Sequence, residues 1–269
     1  MNIEYAISRE TDIRRKQVER LDFFDPNMWL GGFTEFPLAA PLQPSEISTH
    51  LNRFRYGGAL LSHFDGVVIS AQDGNAALIA CSEVLPQNVY TIWTGLPLFP
   101  REQDPLPGVG CPHARMRGVR LYPKTHRYPL TSWVLDSLCN WLIEWSVPLF
   151  VQHVEVDWDD LFRLTKAHPD LTVVVESQWQ KVLYHTRPLL ALMKACDNVY
   201  LETSNCVGVG FMEQTVGDLG SKRLLFGSYA PVNDPLVAMG MIIEADLSDE
   251  EKADIAGGNA RALIDRVKT

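Results

Sequence analysis

The side chains of this 269-residue chain that are able to do chemistry gather at the ends of its β-rich runs. Asp25 and Asn27 close FFDPN with Trp29 just beyond, and His63 nears the end of ALLSHF. Arg120, Tyr122 and Lys124 alternate through GVRLYPK with His126 two residues on, and His153 ends PLFVQH with Glu155 two residues on. Ser177, Ser204 and Tyr229 end TVVVES, NVYLETS and LLFGSY, and Cys206 follows Ser204. An imidazole exchanges protons near neutrality, a carboxyl orients it, a phenol donates to a developing oxyanion, and Arg or Lys anchors a carboxylate. His153 and Glu155 share strand parity and suit a relocated His/carboxylate metal site, and Cys206 suits a thiol nucleophile. Each has a plainer reading. His63 is a packing residue, Glu155 and Asp157 are a solvated strand end and a helix cap, and Cys206 is a small loop residue. Lys124 and His126 either contact an anion or face water. Arg120 enters a barrel interior to pair with Asp25 or Glu202, and Glu176, of opposite parity to Ser177, turns away from it.

Eight such runs must position these groups: 23–27, 59–64, 89–93, 118–123, 148–154, 172–177, 198–204 and 224–229. Most are apolar on both parities, as strands covered on both faces must be. Segments of helical periodicity separate them. Thr131 is placed to cap a helix whose Val134, Leu138, Trp141, Leu142 and Trp145 form an apolar stripe. Asp157 precedes a second helix that Pro169 helps to end, and Ser248 with Glu251 forms a capping box before the last. Strand and helix alternating eight times predict a (β/α)₈ barrel, with no glycine-rich phosphate turn after the first run. The third crossover, 95–117, is rich in glycine and proline and is expected to be irregular. No internal linker divides the chain, so one domain spans 1–269 with 1–20 as an N-terminal extension.

Hydrophobic residues make up 46% and charged residues 21%, which suits a filled globular core. A net charge of −9 disfavours nucleic acid, because phosphate binding needs clustered cations. Arg14, Arg15 and Lys16 lie among acids and read as a solvated helix face. Five scattered cysteines without a C-x-x-C pair suit a reducing cytoplasm, and neither a signal peptide nor a run of about 18 apolar residues marks a membrane protein.

Seven fragments then carry a resemblance, in order, over about 240 residues. Asp25-Pro-Asn27-Met-Trp29-Leu-Gly31 resembles the D-x-H-x-H-x-G segment that opens the amidohydrolase-related family, with both histidines replaced. GVRLYPKTH, VPLFVQH, HPDLTVVVESQW and NVYLETS resemble its fourth to seventh strands. RLLFGSYAP is similar to the family's R-L-L-F-G-S-D-x-P eighth strand, and GGNARALI to its closing helix. The resemblance implies an amidohydrolase-like barrel and five metal-ligand positions, filled here by Asn27, Trp29, His153, Ser177 and Tyr229. Of these only His153 is a family ligand. A neutral amide, an indole, a hydroxyl and a phenol with a pKa of about 10 are poor ligands for zinc or manganese.

The expectation is therefore a barrel without metal or other cofactor. The leading functional reading is a metal-independent hydrolase of a small lactone or amide. His153 acts as acid or base, Asp25 orients it, and Tyr229 serves the oxyanion. Asn27, Trp29, His63, Arg120, Lys124, His126, Ser177 and Ser204 line the substrate site, with a cation anchoring an anionic group. Against it stand a catalytically inactive binding or scaffold barrel, which the loss of four ligands favours, and a metal-dependent hydrolase or decarboxylase with relocated ligands. Expected partners are a small molecule and a second copy of the chain, with neither nucleic acid nor membrane. On strand five, His153 is expected to share the parity of Leu149 and Val151, pointing into the barrel near Asp25 and Tyr229.

Overall fold

A computed structural model describes residues 16–32, 40–97, 106 and 111–268. Its eight strands are β1 Phe24–Leu30, β2 Gly58–His63, β3 Val89–Thr94, β4 Met116–Leu121, β5 Leu149–Gln152, β6 Val173–Glu176, β7 Val199–Glu202 and β8 Leu224–Leu225. Every pair is parallel and the strands follow one another in chain order. A bridge between Met28 and Ala230, with Trp29 N–H donating to Ala230 O at 2.8 Å, joins the β8 segment back to β1. This is the expected (β/α)₈ barrel. All eight runs carry strands, although β8 is only two residues long because the chain turns at once toward Tyr229, which has a left-handed φ of 56°. The register of β1 shifts between Asp25 and Met28, where Pro26 has no N–H for the ladder.

Strand alternation sorts the side chains into two populations. Leu149, Val151, Val173, Val175 and Leu201 join the outer core, packed with Leu135, Leu142, Leu161 and Leu164 of the surrounding helices. Phe24, Leu60, Ile92, Phe150, Val174 and Leu225 point inward and form one layer, with Ala260, Leu263 and Ile264 of the C-terminal helix against them. Gly118 leaves room in that layer, since a Cβ there would meet the Phe150 ring at 2.6 Å. A second cluster, Trp29, Phe64, Tyr122 and Tyr229, packs as a separate aromatic group. Burying so many apolar side chains on both faces of one sheet is the main favourable term in the fold.

The helix signals hold in part. Asp157 accepts from Asp159 N and Asp160 N at the start of helix Trp158–Ala167, and Ser248 and Glu251 form the capping box. Thr131 does precede helix Ser132–Trp145, but its hydroxyl makes no cap bond. The buried line of that helix is Leu135, Cys139 and Leu142, with Val134, Leu138, Trp141 and Trp145 only partly buried beside it. About half of the third crossover lies outside the described residues, as do residues 1–15 of the N-terminal extension. No helix among the described residues is long and apolar enough to cross a membrane.

Candidate functional site at the barrel mouth

Arg120 stands at the C-terminal end of β4 with 1% of its surface exposed. Its parity is that of the inward Gly118, so it rises from the inner layer into the barrel. Nη2 donates to Glu176 Oε1 at 2.5 Å, Nη1 donates to Ser62 Oγ, and Cζ lies 4.6 Å from the centre of the Trp29 ring. Burial opposes the guanidinium charge, and the Glu176 carboxylate and Tyr122 hydroxyl more than offset it. Glu176 is fully buried: desolvation pushes its carboxyl up while Arg120 pulls it back. Two expectations are corrected here. Arg120 pairs with neither Asp25 nor Glu202, and Glu176 does not turn away. Glu176 shares the parity of the inward Val174, so it is Ser177 that falls on the other side.

Trp29 seals this pair. Its indole N–H donates to Asn27 Oδ1 at 2.8 Å, its ring stacks on Phe64 at 4.6 Å, and Tyr229 meets it edge-on at 6.1 Å. Asp25 lies beneath, accepting from Asn27 N at 3.0 Å and from Ser228 N at 3.1 Å, with Ser228 Oγ on its other oxygen. Burial raises its pKa to about 6 against those hydrogen bonds. Across the barrel, Glu202 accepts from Ser204 N at 2.7 Å, Ser204 Oγ at 3.0 Å and Ser177 N at 3.2 Å. Burial, then the charge of Glu176, raise it to about 8. Gly227 permits this packing, because a Cβ there would overlap Glu202 Oε1. Ser177 and Ser204 are thus brought together, 3.3 Å apart, around a buried carboxyl. Cys206 is buried beside them, and its thiol is pushed far up by burial and by Glu202, so it offers no thiolate near neutrality.

His153 is elsewhere engaged. Leu149 and Val151 face the helices rather than the pore, so the parity expected for His153 leads out of the barrel. Its Nε2 lies 2.8 Å from Gln180 O, and its Nδ1 lies 2.7 Å from Nδ1 of His185. A carbonyl only accepts, so His153 is protonated on Nε2 and its bare Nδ1 accepts from His185. Burial lowers its pKa to about 4, His185 adding to that effect and the Gln180 carbonyl opposing it. No hydrogen bond or ring contact joins His153 to Asp25 or Tyr229, as the parity error implies. His185 carried no strand-end signal and escaped sequence reasoning.

A cavity of about 900 Å³ opens beside this filled centre. It is bounded by residues 67–72, 96–97 and 125–128, by Gln152, Val154 and Glu155, and by Trp179. Of the residues expected in the catalytic and substrate site it includes only His126. That ring's Nε2 lies 3.2 Å from Val67 O while Nδ1 is buried without a partner, and burial lowers its pKa. Lys124 is not part of that wall, and its Nζ donates to Val154 O at 2.7 Å. The Glu155 carboxylate accepts from Lys124 N, Thr125 N and Thr125 Oγ1 at 2.7 to 2.9 Å, and is a loop fastener rather than a metal ligand. His63 packs outside the cavity. It lies against Gly31, whose φ of 77° and whose missing Cβ, which would come within 2.8 Å of the ring, explain the glycine. Asp65 N donates to its Nδ1 at 3.2 Å. Gln152, Arg127 and Trp179 were missed. Gln152 was legible as the inward neighbour of His153, but an uncharged amide attracts no chemical reading.

The amidohydrolase family model matches residues 111–266. The chain belongs to the amidohydrolase family. A search of curated proteins returned no match. Among solved structures, an amidohydrolase from Burkholderia multivorans with bound zinc superposes with a TM-score of 0.66 at 15% identity, covering 90% of this chain and 99% of that one. The 5-carboxyvanillate decarboxylase of Sphingomonas paucimobilis gives 0.64 at 13% identity over 92% and 100%. Amidohydrolase 2 from Bifidobacterium longum subsp. infantis gives 0.64 at 14% over 91% and 99%. These likenesses establish the fold.

The residues that the resemblance puts at the family's ligand positions do not fit a divalent metal. Asn27 Oδ1 is taken by the Trp29 indole, both nitrogens of His153 are engaged, and Ser177 Oγ accepts from Asn205 N at 2.8 Å. A guanidinium already lies against Trp29, and a second cation beside it is opposed by charge. Among the described residues, no three His, Cys, Asp or Glu side chains come together as a metal-binding group.

Proposed function

We propose that this amidohydrolase-family chain is a binding barrel that works without a catalytic metal and holds a small organic molecule in the mouth cavity. One observation carries the reading: the centre of the barrel mouth is packed with Trp29 and the Arg120–Glu176 pair, while the open volume lies beside it. A pocket of this size with mixed apolar and polar walls is what small-molecule sites look like. Asp25, His153 and Tyr229 are then supports of the barrel rather than reacting groups.

The test uses chain purified without added metal and treated with chelator. Elemental analysis is expected to find far less than one zinc, manganese or iron per chain. A thermal-shift screen of small organic compounds is expected to yield stabilising ligands whose effect disappears in Ile69→Trp, a change at an exposed residue on the cavity wall. Near-stoichiometric metal bound through His153, or stabilisation untouched by Ile69→Trp, would refute the proposal.

A second reading, metal-independent hydrolysis of a lactone or amide, draws on His126. Its Nε2 donates to Val67 O, which leaves Nδ1 as a bare, neutral base in the cavity wall. In that reading His126 takes the role expected of His153. Turnover of a lactone or activated amide that falls about a hundredfold in His126→Ala would establish it.

A further inference from the structure

Helix Pro235–Ile243 contains no polar or charged side chain in its nine residues, PLVAMGMII. One side of it buries Pro235, Ala238, Met239, Ile242 and Ile243, while Leu236 and Val237 stand exposed on the other. A helix that is apolar all round is normally covered all round, so an uncovered side marks a contact surface. The neighbouring loop continues the pattern. In Cys206-Val207-Gly208-Val209-Gly210, where a surface loop is ordinarily polar, Val207 is exposed and Val209 fully so. Leu183 and Tyr184 of the turn Val182–His185 are exposed as well, and a Cβ on Gly208 would lie 3.6 Å from Leu183 Cδ1, so turn and loop abut. Val207 and Val237 border one groove of about 300 Å³ that has Met212 and Met241 in its walls. The segments following β6, β7 and β8, three adjacent strands, therefore present one continuous apolar patch. It shares no residue with the mouth cavity.

Charge and shape together specify what covers it. Beyond β6, residues 178–190 contain Lys181 and Arg187, both exposed, and no acid. Beyond β8, residues 232–246 contain Asp234, Glu244 and Asp246, all exposed, and neither Lys nor Arg. The patch is thus apolar in the middle, positive at one end and negative at the other. Such a surface complements itself about a two-fold axis, where each basic end falls on the acidic end of the other copy. The shape agrees with this. Val209 is an uncovered knob, and the groove bounded by Val207 and Gly210 is a hole beside it, so each copy offers both halves of one contact. We infer that this face is the interface of a symmetric homodimer, with Val209 of each copy seated in the groove of the other. An apolar centre with a charged rim is the anatomy of a stable interface. The net charge of −9 opposes association of two copies, so the apolar area supplies the affinity and the paired ends set the register.

Sedimentation velocity of the full chain at about 1 to 100 µM tests it, and the wild type is expected to run as a dimer over most of that range. Val209→Asp, at a fully exposed site, is expected to raise the dimer Kd about a hundredfold or more while the far-ultraviolet circular dichroism spectrum stays that of the wild type. Reversing the charge of either end gives a sharper test, since all the residues concerned are exposed. Lys181→Glu/Arg187→Glu and Glu244→Lys/Asp246→Lys are each expected to weaken self-association about tenfold or more. An equimolar mixture of the two is expected to dimerise again, because the reversed basic end of one then meets the reversed acidic end of the other. A wild type that is monomeric at about 100 µM, a dimer indifferent to Val209→Asp, or charge variants that stay apart when mixed would each overturn the inference.

Discussion

Replacing Arg120 with methionine removes the resident cation of the barrel and leaves Glu176 behind. The guanidinium is 1% exposed and bonded to Glu176, Ser62 and the Tyr122 hydroxyl, and Glu176 Oε2 already lacks a partner. Breaking a buried pair from one side costs about 3–5 kcal/mol, mostly the penalty of an uncompensated buried charge. For a domain of this size each kcal/mol moves Tm by about 2–4 °C, so a fall of roughly 10 °C is expected. The double variant Arg120→Met/Glu176→Gln removes the stranded charge and should recover at least half of the loss. The sign of the pH effect follows from the same geometry. Without Arg120 the folded-state pKa of Glu176 rises further above its unfolded value, so the variant's deficit is smallest in acid, where the carboxyl is protonated in both states. The deficit grows as pH rises from about 4 toward 8. Denaturant melts of the wild type and the single and double variants at both ends of that range measure all three effects. A single-variant loss below about 1 kcal/mol, or a double variant no better than the single, would refute the view that a desolvated ion pair occupies the barrel.

Glu202 gives a second titration. Its folded pKa of about 8 stands above the ordinary 4.5, so its contribution to stability is complete below about 4.5 and is lost as pH rises through 8. Between about pH 6.5 and 8, above the ranges of Asp25 and His153, the wild type should lose up to about 1.4 kcal/mol per pH unit, and Glu202→Gln should flatten that slope. A slope unchanged in the variant would show that Glu202 is ionised in the fold. Trp29→Ala should cost about 3–5 kcal/mol by thermal melting, because the indole is fully buried between Phe64, Tyr229 and Arg120. A near-neutral result would mean that the barrel mouth is not packed around it.

The eight strands, the Asp157 cap and the Ser248–Glu251 box were legible in the chain because each depends on residues a few positions apart. Runs apolar on both parities demand cover on both faces, and a carboxylate or hydroxyl before a helix meets its N–H groups wherever the helix later packs. The family was legible for a related reason: fragments kept in order carry the barrel's strand ends with them. What alternation alone left undetermined was which parity faces the pore. Reading Leu149 and Val151 as inward sent His153 toward Asp25 and set Glu176 aside, whereas the inner layer runs through Phe150 and Val174 and places Glu176 on Arg120. A one-residue change of parity moves every side chain of a strand to the other face, and only closure of the sheet decides it. The pairing of His153 with His185, 32 residues away, and the meeting of Arg127, Gln152 and Trp179 around one cavity are likewise products of the tertiary structure. Local sequence holds the propensity of each segment, but distances between strand ends exist only once the barrel has brought them together.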